Sequence, residues 1–187
     1  MSPDEAELQL FGQALVCRDE LACTLTPGPE TVAEIQRHQA MAERLLRSAT
    51  LAETATPEDP EHAPQDAALL RIEAKVDLAL ELLGRMLAAE QPQSPPRPVR
   101  WSRLGAQISV AQARVVGSRH LLSLQLPTGL SLPLRLPVQV LAGVEGADGQ
   151  HELWLAFPPD TCGLEAALER FLFRQHRRQI AASRRGA

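Results

Sequence analysis

The chain has no tyrosine, four phenylalanines, two tryptophans and three cysteines in 187 residues. So few aromatic rings leave little on which bases could stack, which argues against single-stranded nucleic acid as a partner. Cys17, Cys23 and Cys162 are odd in number and lack C-x-x-C spacing. That excludes a disulfide framework or a zinc site of ordinary pattern, and the thiols read as small buried hydrophobes in a reducing compartment. No apolar run approaches the roughly 18 residues of a membrane span, and the opening MSPDEAELQ is acidic rather than a basic, hydrophobic leader. The expectation is a cytoplasmic protein without a membrane span.

Catalytic spacing is absent too. In GLSLP at 129–133, Pro133 stands where a nucleophile elbow needs glycine. No glycine-rich phosphate loop, H-E-x-x-H or paired-carboxylate motif is visible, and His120, His151 and His176 are isolated. The chain therefore reads as a non-enzyme with no metal and no cofactor.

What is present is a 44 % apolar composition, enough for a real core, and one strongly periodic stretch. In AALLRIEAKVDLALELLGRMLAAE at 67–90, Leu69, Ile72, Val76, Ala79, Leu83 and Met86 alternate three and four apart. This is the a/d seam of a heptad. Leu80 and Leu87 at e, with Leu82 at g, widen the stripe beyond what one partner helix covers, so Leu69, Ile72, Val76, Ala79, Leu80, Leu83, Met86 and Leu87 are the expected oligomerisation surface and a homotetramer is favoured. A second helix is expected from the Thr31/Glu34 capping-box pattern to about Thr50, with Ile35, His38, Ala42, Leu45 and Ala49 on one seam.

Around these helices the texture changes. LQLFGQALV and LACTL, between Leu8 and Leu25, read as two extended pieces joined by a turn. After the proline-rich linker QPQSPP the pattern has period two, in VRWSRLGAQIS, HLLSLQL, SLPLRLPVQVLAG and HELWLAF, punctuated by glycines. A final helix runs from about Cys162 to Ala182, with Leu164, Leu168, Phe171 and Leu172 apolar and a basic far end. The expected organisation is an N-terminal extended segment (1–30), a helical, coiled-coil oligomerisation region (31–91), and a small antiparallel barrel or sandwich with a C-terminal helix (97–182), an α+β fold. Net charge is −4, acidic in front and basic behind. An Arg-rich end at Arg174, Arg177, Arg178, Arg184 and Arg185 leaves nucleic-acid binding as an alternative, although a helix C-terminus attracts cations in any case.

The order VRWSRLGAQI, VGSRHLLSLQLP, LPLRLPVQVLAG, HELWLAFPP, LEAALERFLFRQHRR resembles the PilZ family. Those six-stranded barrels with a C-terminal helix serve as bacterial receptors for cyclic di-GMP. Ser102 and Gly105 stand where the family's D/N-x-S-x-x-G motif has its serine and glycine. Arg100 stands where the motif asks for Asp or Asn, and Arg97 and Arg100 are three apart where R-x-x-x-R needs four. The resemblance thus implies a degenerate nucleotide site at Arg97, Arg100, Ser102 and Gly105, with cyclic di-GMP as the candidate ligand. Arg103 could extend a basic rim, against the plainer reading that all three arginines are solvated strand-end charges. It further implies a scaffold or signalling role with protein partners, and a functional cyclic di-GMP receptor as the alternative.

Overall fold

Alternating apolar residues bounded by turn-forming ones produce six strands. The computed structural model describes residues 1–52, Val76, Ala79, 95–126, 132–146, 149–160 and 162–185. Its elements are α1 (Pro3–Phe11), β1 (Cys17–Pro27), α2 (Val32–Ala52), β2 (Pro96–Trp101), β3 (Gly105–Val110), β4 (Arg119–Leu124), β5 (Leu134–Glu145), β6 (His151–Ala156) and α3 (Leu164–Arg185). The strands close into an antiparallel barrel in the order β1-β2-β3-β6-β5-β4, the six-stranded barrel that the PilZ resemblance implied.

Two expectations for residues 1–30 need correction. LQLF is not extended, because Ser2 and Glu5 form a capping box at the start of α1 and Pro3 supplies the pre-set φ of a first helical turn. Nor is 17–27 an appendage to a barrel beginning at 97. β1 pairs with β2 through Cys17↔Trp101 to Ala22↔Pro96, and with β4 through Cys23↔Leu124 to Pro27↔His120. Without it the barrel would have two open edges. The polar Asp19 in mid-strand obscured the alternation, yet its carboxylate accepts from Trp101 Nε1 at 2.8 Å and Gln179 Nε2 at 2.8 Å.

The core fills the barrel with Leu122, Leu124, Leu134, Leu136, Leu153 and Leu155 and continues under α3. Leu164, Leu168, Phe171 and Leu172 are buried along one face of that helix. Each stabilises the fold by roughly 1.5–3 kcal/mol relative to exposure. Phe171 meets Trp101 edge-on, at 5.9 Å between ring centroids. Helix α2 lies against α3 and β5, and its Thr31/Glu34 capping box is formed, with Glu34 N donating to Thr31 Oγ1 and Thr31 N to Glu34 Oε2, both at 3.2 Å.

The seam expected on α2 is rotated. The buried residues are Gln39, Ala42, Glu43, Leu46 and Ala49, whereas Ile35, His38 and Leu45 are only half-buried. Packing against both a helix and a sheet selects a face centred on Leu46, not the strict a/d line of a two-helix coil. Of the expected oligomerisation seam, Leu69, Ile72, Leu80, Leu83, Met86 and Leu87 lie outside the described residues. Val76 and Ala79 are helical and exposed, Val76 at 51 %.

Pro137 sits within β5 opposite Leu121 of β4, while β6 begins pairing with β5 only at Gln139↔Ala156. It therefore occupies a position with a sheet neighbour on one side only, where a residue lacking an N–H is tolerated. Between Val140 and Ala142 the β5–β6 register shifts, and this bulge leaves Leu141 packed outside the barrel, beside α1.

Candidate functional site

Trp101 ends β2 and Gly105 begins β3, so Ser102-Arg103-Leu104 is the tight turn carrying the expected ligand motif. Ser102 is fully buried, and Ser102 N donates to Gly105 O at 2.9 Å. Its hydroxyl accepts from Leu104 N at 3.0 Å and donates to Leu10 O at 2.7 Å. It thus satisfies one of the carbonyls that every helix leaves open at its C-terminal end. Gly105 is required by close approach, because a Cβ there would stand 2.2 Å from Leu155 O and 2.7 Å from Leu10 Cδ2. The motif letters are used, and what they hold is α1.

The arginines are engaged as well. Arg100 Nη1 donates to Glu7 Oε2 at 2.9 Å and to Gln107 Oε1 at 3.3 Å. Its Nη2 makes an ion pair with the same carboxylate, and its guanidinium carbon lies 4.2 Å from the centre of the Phe11 ring. Such stacking on an aromatic face suits arginine in particular. Trp154 Nε1 adds a third donor to Glu7 at 3.1 Å. Chiefly through Arg100, these partners hold the Glu7 carboxyl below its ordinary pKa. Ala6, Leu10 and Phe11 complete the contact by burying themselves against Ala142 and Trp154.

Arg97 is not brought to this cluster. An odd separation along a strand puts Arg97 and Arg100 on opposite faces, and Arg97 instead reaches Ser109 O and Gln150 Oε1, each at 3.4 Å. Arg103 pairs with Glu165 and, at 3.8 Å, with Glu169 of α3. No two-arginine clamp forms among these three residues.

Sequence reasoning missed Glu7, Leu10, Phe11 and Trp154, the residues that occupy the motif. The S-P-x-E start of α1 could have revealed the helix, though not where it docks. His120 also proves not to be isolated. Its Nε2 lies 2.9 Å from Ser118 Oγ and its Nδ1 3.3 Å from Thr26 O, and burial lowers its pKa. The outer nitrogen faces a backbone carbonyl where a triad would place a carboxylate, and Ser118 Oγ is also within bonding distance of Val115 O. Cys17 is buried against Leu172 O, and burial pushes its thiol up to about 11. No group of three or more metal-ligating side chains occurs among the described residues. No helix among them is long and apolar enough to cross a membrane.

A closed six-stranded barrel with a helix sealing it and an S-x-x-G turn between β2 and β3 defines a PilZ-type domain. The family model for the atypical PilZ domain, described as a cyclic di-GMP receptor, matches residues 45–185. The crystal structure of a pathogenic protein from Xanthomonas campestris is similar over nearly the whole chain. It shares 35 % identity at a TM-score of 0.80, covering 96 % of this chain and 97 % of that one. That protein is described as a tetrameric PilZ domain self-assembled via an unusual helical bundle. No curated protein matches. This chain belongs to the atypical PilZ family. Strand β1 and helix α1 lie outside the span matched by the family model.

Proposed function

We propose that this protein is a non-enzymatic signalling or scaffold component of the PilZ family, with a nucleotide motif taken over by its own N-terminal helix and with its function seated in helix-driven self-assembly. The observation that carries the first part is the commitment of Ser102, Gly105 and Arg100 to α1 through Leu10, Glu7 and Phe11. A cyclic dinucleotide needs backbone approach at such a turn and free guanidinium forks for its phosphates, and α1 stands on the one and occupies the other.

Self-assembly is supported by two observations. Val76 and Ala79, at a and d of the heptad, are helical and exposed to solvent within the single chain. The Xanthomonas relative, which aligns from end to end, is described as tetrameric through a helical bundle. Apolar a and d positions gain their stability only when a partner helix covers them.

Light scattering of the full-length protein together with calorimetry against cyclic di-GMP tests both parts. A four-chain mass and no heat at tens of micromolar nucleotide are expected. A monomer would overturn the assembly reading. Saturable heat would favour the alternative, a working receptor from which α1 must swing away, and the family description as a receptor is what keeps that alternative in play.

A further inference from the structure

A cleft of about 580 Å3 opens between the first turns of α2 and the sheet. The volume lies within the roughly 300–1,000 Å3 typical of small-molecule sites. Val32 and Ile35 of α2, Pro137 and Leu141 of β5 and Phe157 just past β6 supply its apolar lining. Val32 is 68 % exposed, so part of that lining is left uncovered by the chain's own packing.

A glycine brings the walls together. Gly28 N donates to Arg119 O at 3.2 Å, and a Cβ at Gly28 would stand 2.6 Å from His120 N. The link from β1 to α2 therefore runs directly over β4 and sets Arg119 beside the start of α2, where its Nη1 donates to Glu30 O at 3.2 Å.

Charge selects the occupant. Among the described residues, Arg103, Arg119, Asp160 and Glu165 are the charged groups that line the cleft. Arg103 pairs with Glu165 and, at 3.8 Å, with Glu169. The Asp160 carboxylate accepts from the backbone N–H groups of Cys162, Gly163 and Glu165. At the near end of α2 the Glu34 carboxylate accepts from Glu30 N and Thr31 N, both at 3.2 Å. His120 also lines the cleft, but burial lowers its pKa, so it adds no charge at neutral pH. Arg119 remains. It is exposed at the rim, meets a backbone carbonyl, and forms no ion pair among the described residues. An uncovered apolar lining thus adjoins one uncompensated guanidinium, whose fork matches a carboxylate bidentately. Phe157 is the one Phe or Trp among the described lining residues, which suits an aliphatic body better than a nucleobase.

We propose that this cleft binds a small monoanionic amphipath, an aliphatic body lying against Val32, Ile35, Pro137 and Leu141 and carrying one carboxylate that meets Arg119. The test is an NMR titration of the full-length protein with octanoate, octanamide, octylammonium and acetate. Octanoate should give saturable shifts at Ile35 and Arg119. Octanamide should bind about fivefold more weakly and octylammonium more weakly still. Acetate, which has no apolar body, should not saturate. Added salt should weaken octanoate and spare octanamide. Arg119→Gln should bring octanoate down to the affinity of octanamide, with octanamide itself unchanged, and Ile35→Asp should abolish binding of both. No saturable shift with octanoate, shifts centred on the Arg-rich end of α3, saturation by acetate, equal wild-type affinity for octanoate and octanamide, or undiminished octanoate affinity in Arg119→Gln would each overturn the proposal. Should Ile35→Asp not fold, the wild-type probes and Arg119→Gln decide alone.

Discussion

Replacing Glu7 with alanine should unfasten α1 while leaving the barrel folded. The carboxylate accepts from Arg100 Nη1 at 2.9 Å and Trp154 Nε1 at 3.1 Å and forms an ion pair with Arg100 Nη2. Bonds to a charged group contribute roughly 1.5–3 kcal/mol when buried, whereas exposed ion pairs contribute about 0.2–1 kcal/mol. The Glu7 side chain is 39 % exposed and that of Arg100 24 %, so the contact lies between these limits. We expect a loss of about 2 kcal/mol, including the cost of leaving Arg100 without its counter-ion where Nε is already unpartnered. Because α1 contributes no strand to the barrel and packs on its outside, this loss should appear as local opening. Amide exchange at Ala6 and Leu10 should accelerate about thirtyfold, with strand amides unchanged. Acid should mimic the substitution. The folded-state pKa of Glu7 is depressed below 4.5, so its contribution is complete above that value and is lost as pH falls through the depressed value. Unchanged exchange in α1 would refute the latch, and so would protection that does not fall with acid.

Gly105→Ala should destabilise the whole barrel by at least about 2 kcal/mol, seen as a lower denaturant midpoint, because a Cβ meets the Leu155 carbonyl at 2.2 Å and backbone cannot yield as a side chain can. Cys17 should resist alkylation by iodoacetamide at neutral pH for as long as the fold persists. Its pKa of about 11 leaves almost no thiolate, and reaction at the rate of a free thiol would contradict its burial. If the heptad helix assembles the protein as proposed, Val76→Asp or Leu83→Asp should give lower-mass species than the wild type by light scattering, since no partner is available for a carboxylate in an apolar seam. An unchanged mass would place the assembly surface elsewhere.

Much of the barrel was legible because strands with one face in a core must alternate, as HELWLAF and VRWSRLGAQIS do. The start of α2 was legible because a capping box is local, formed by Thr31 and Glu34 within one turn. LACTL was legible as extended, but the place of β1 in the barrel was hidden, because Asp19 and Glu20 break the alternation and Asp19 finds its partners in Trp101 and Gln179, 82 and 160 residues away. The α2 seam was misjudged by one step around the helix for the same reason. Periodicity says that a face is apolar, but which residues become buried depends on the neighbours that arrive, here α3 and β5.

Ser102, Gly105 and Arg100 show this division most clearly. The amino-acid sequence by itself determined that a small residue, a hydroxyl and a guanidinium would stand at one tight turn, since spacing along a chain is covalent. Only the tertiary structure decided what they hold. Leu10, 92 residues before Ser102, and Glu7, 93 before Arg100, reach that turn through barrel closure by β1, and no local pattern encodes a contact made across the whole fold.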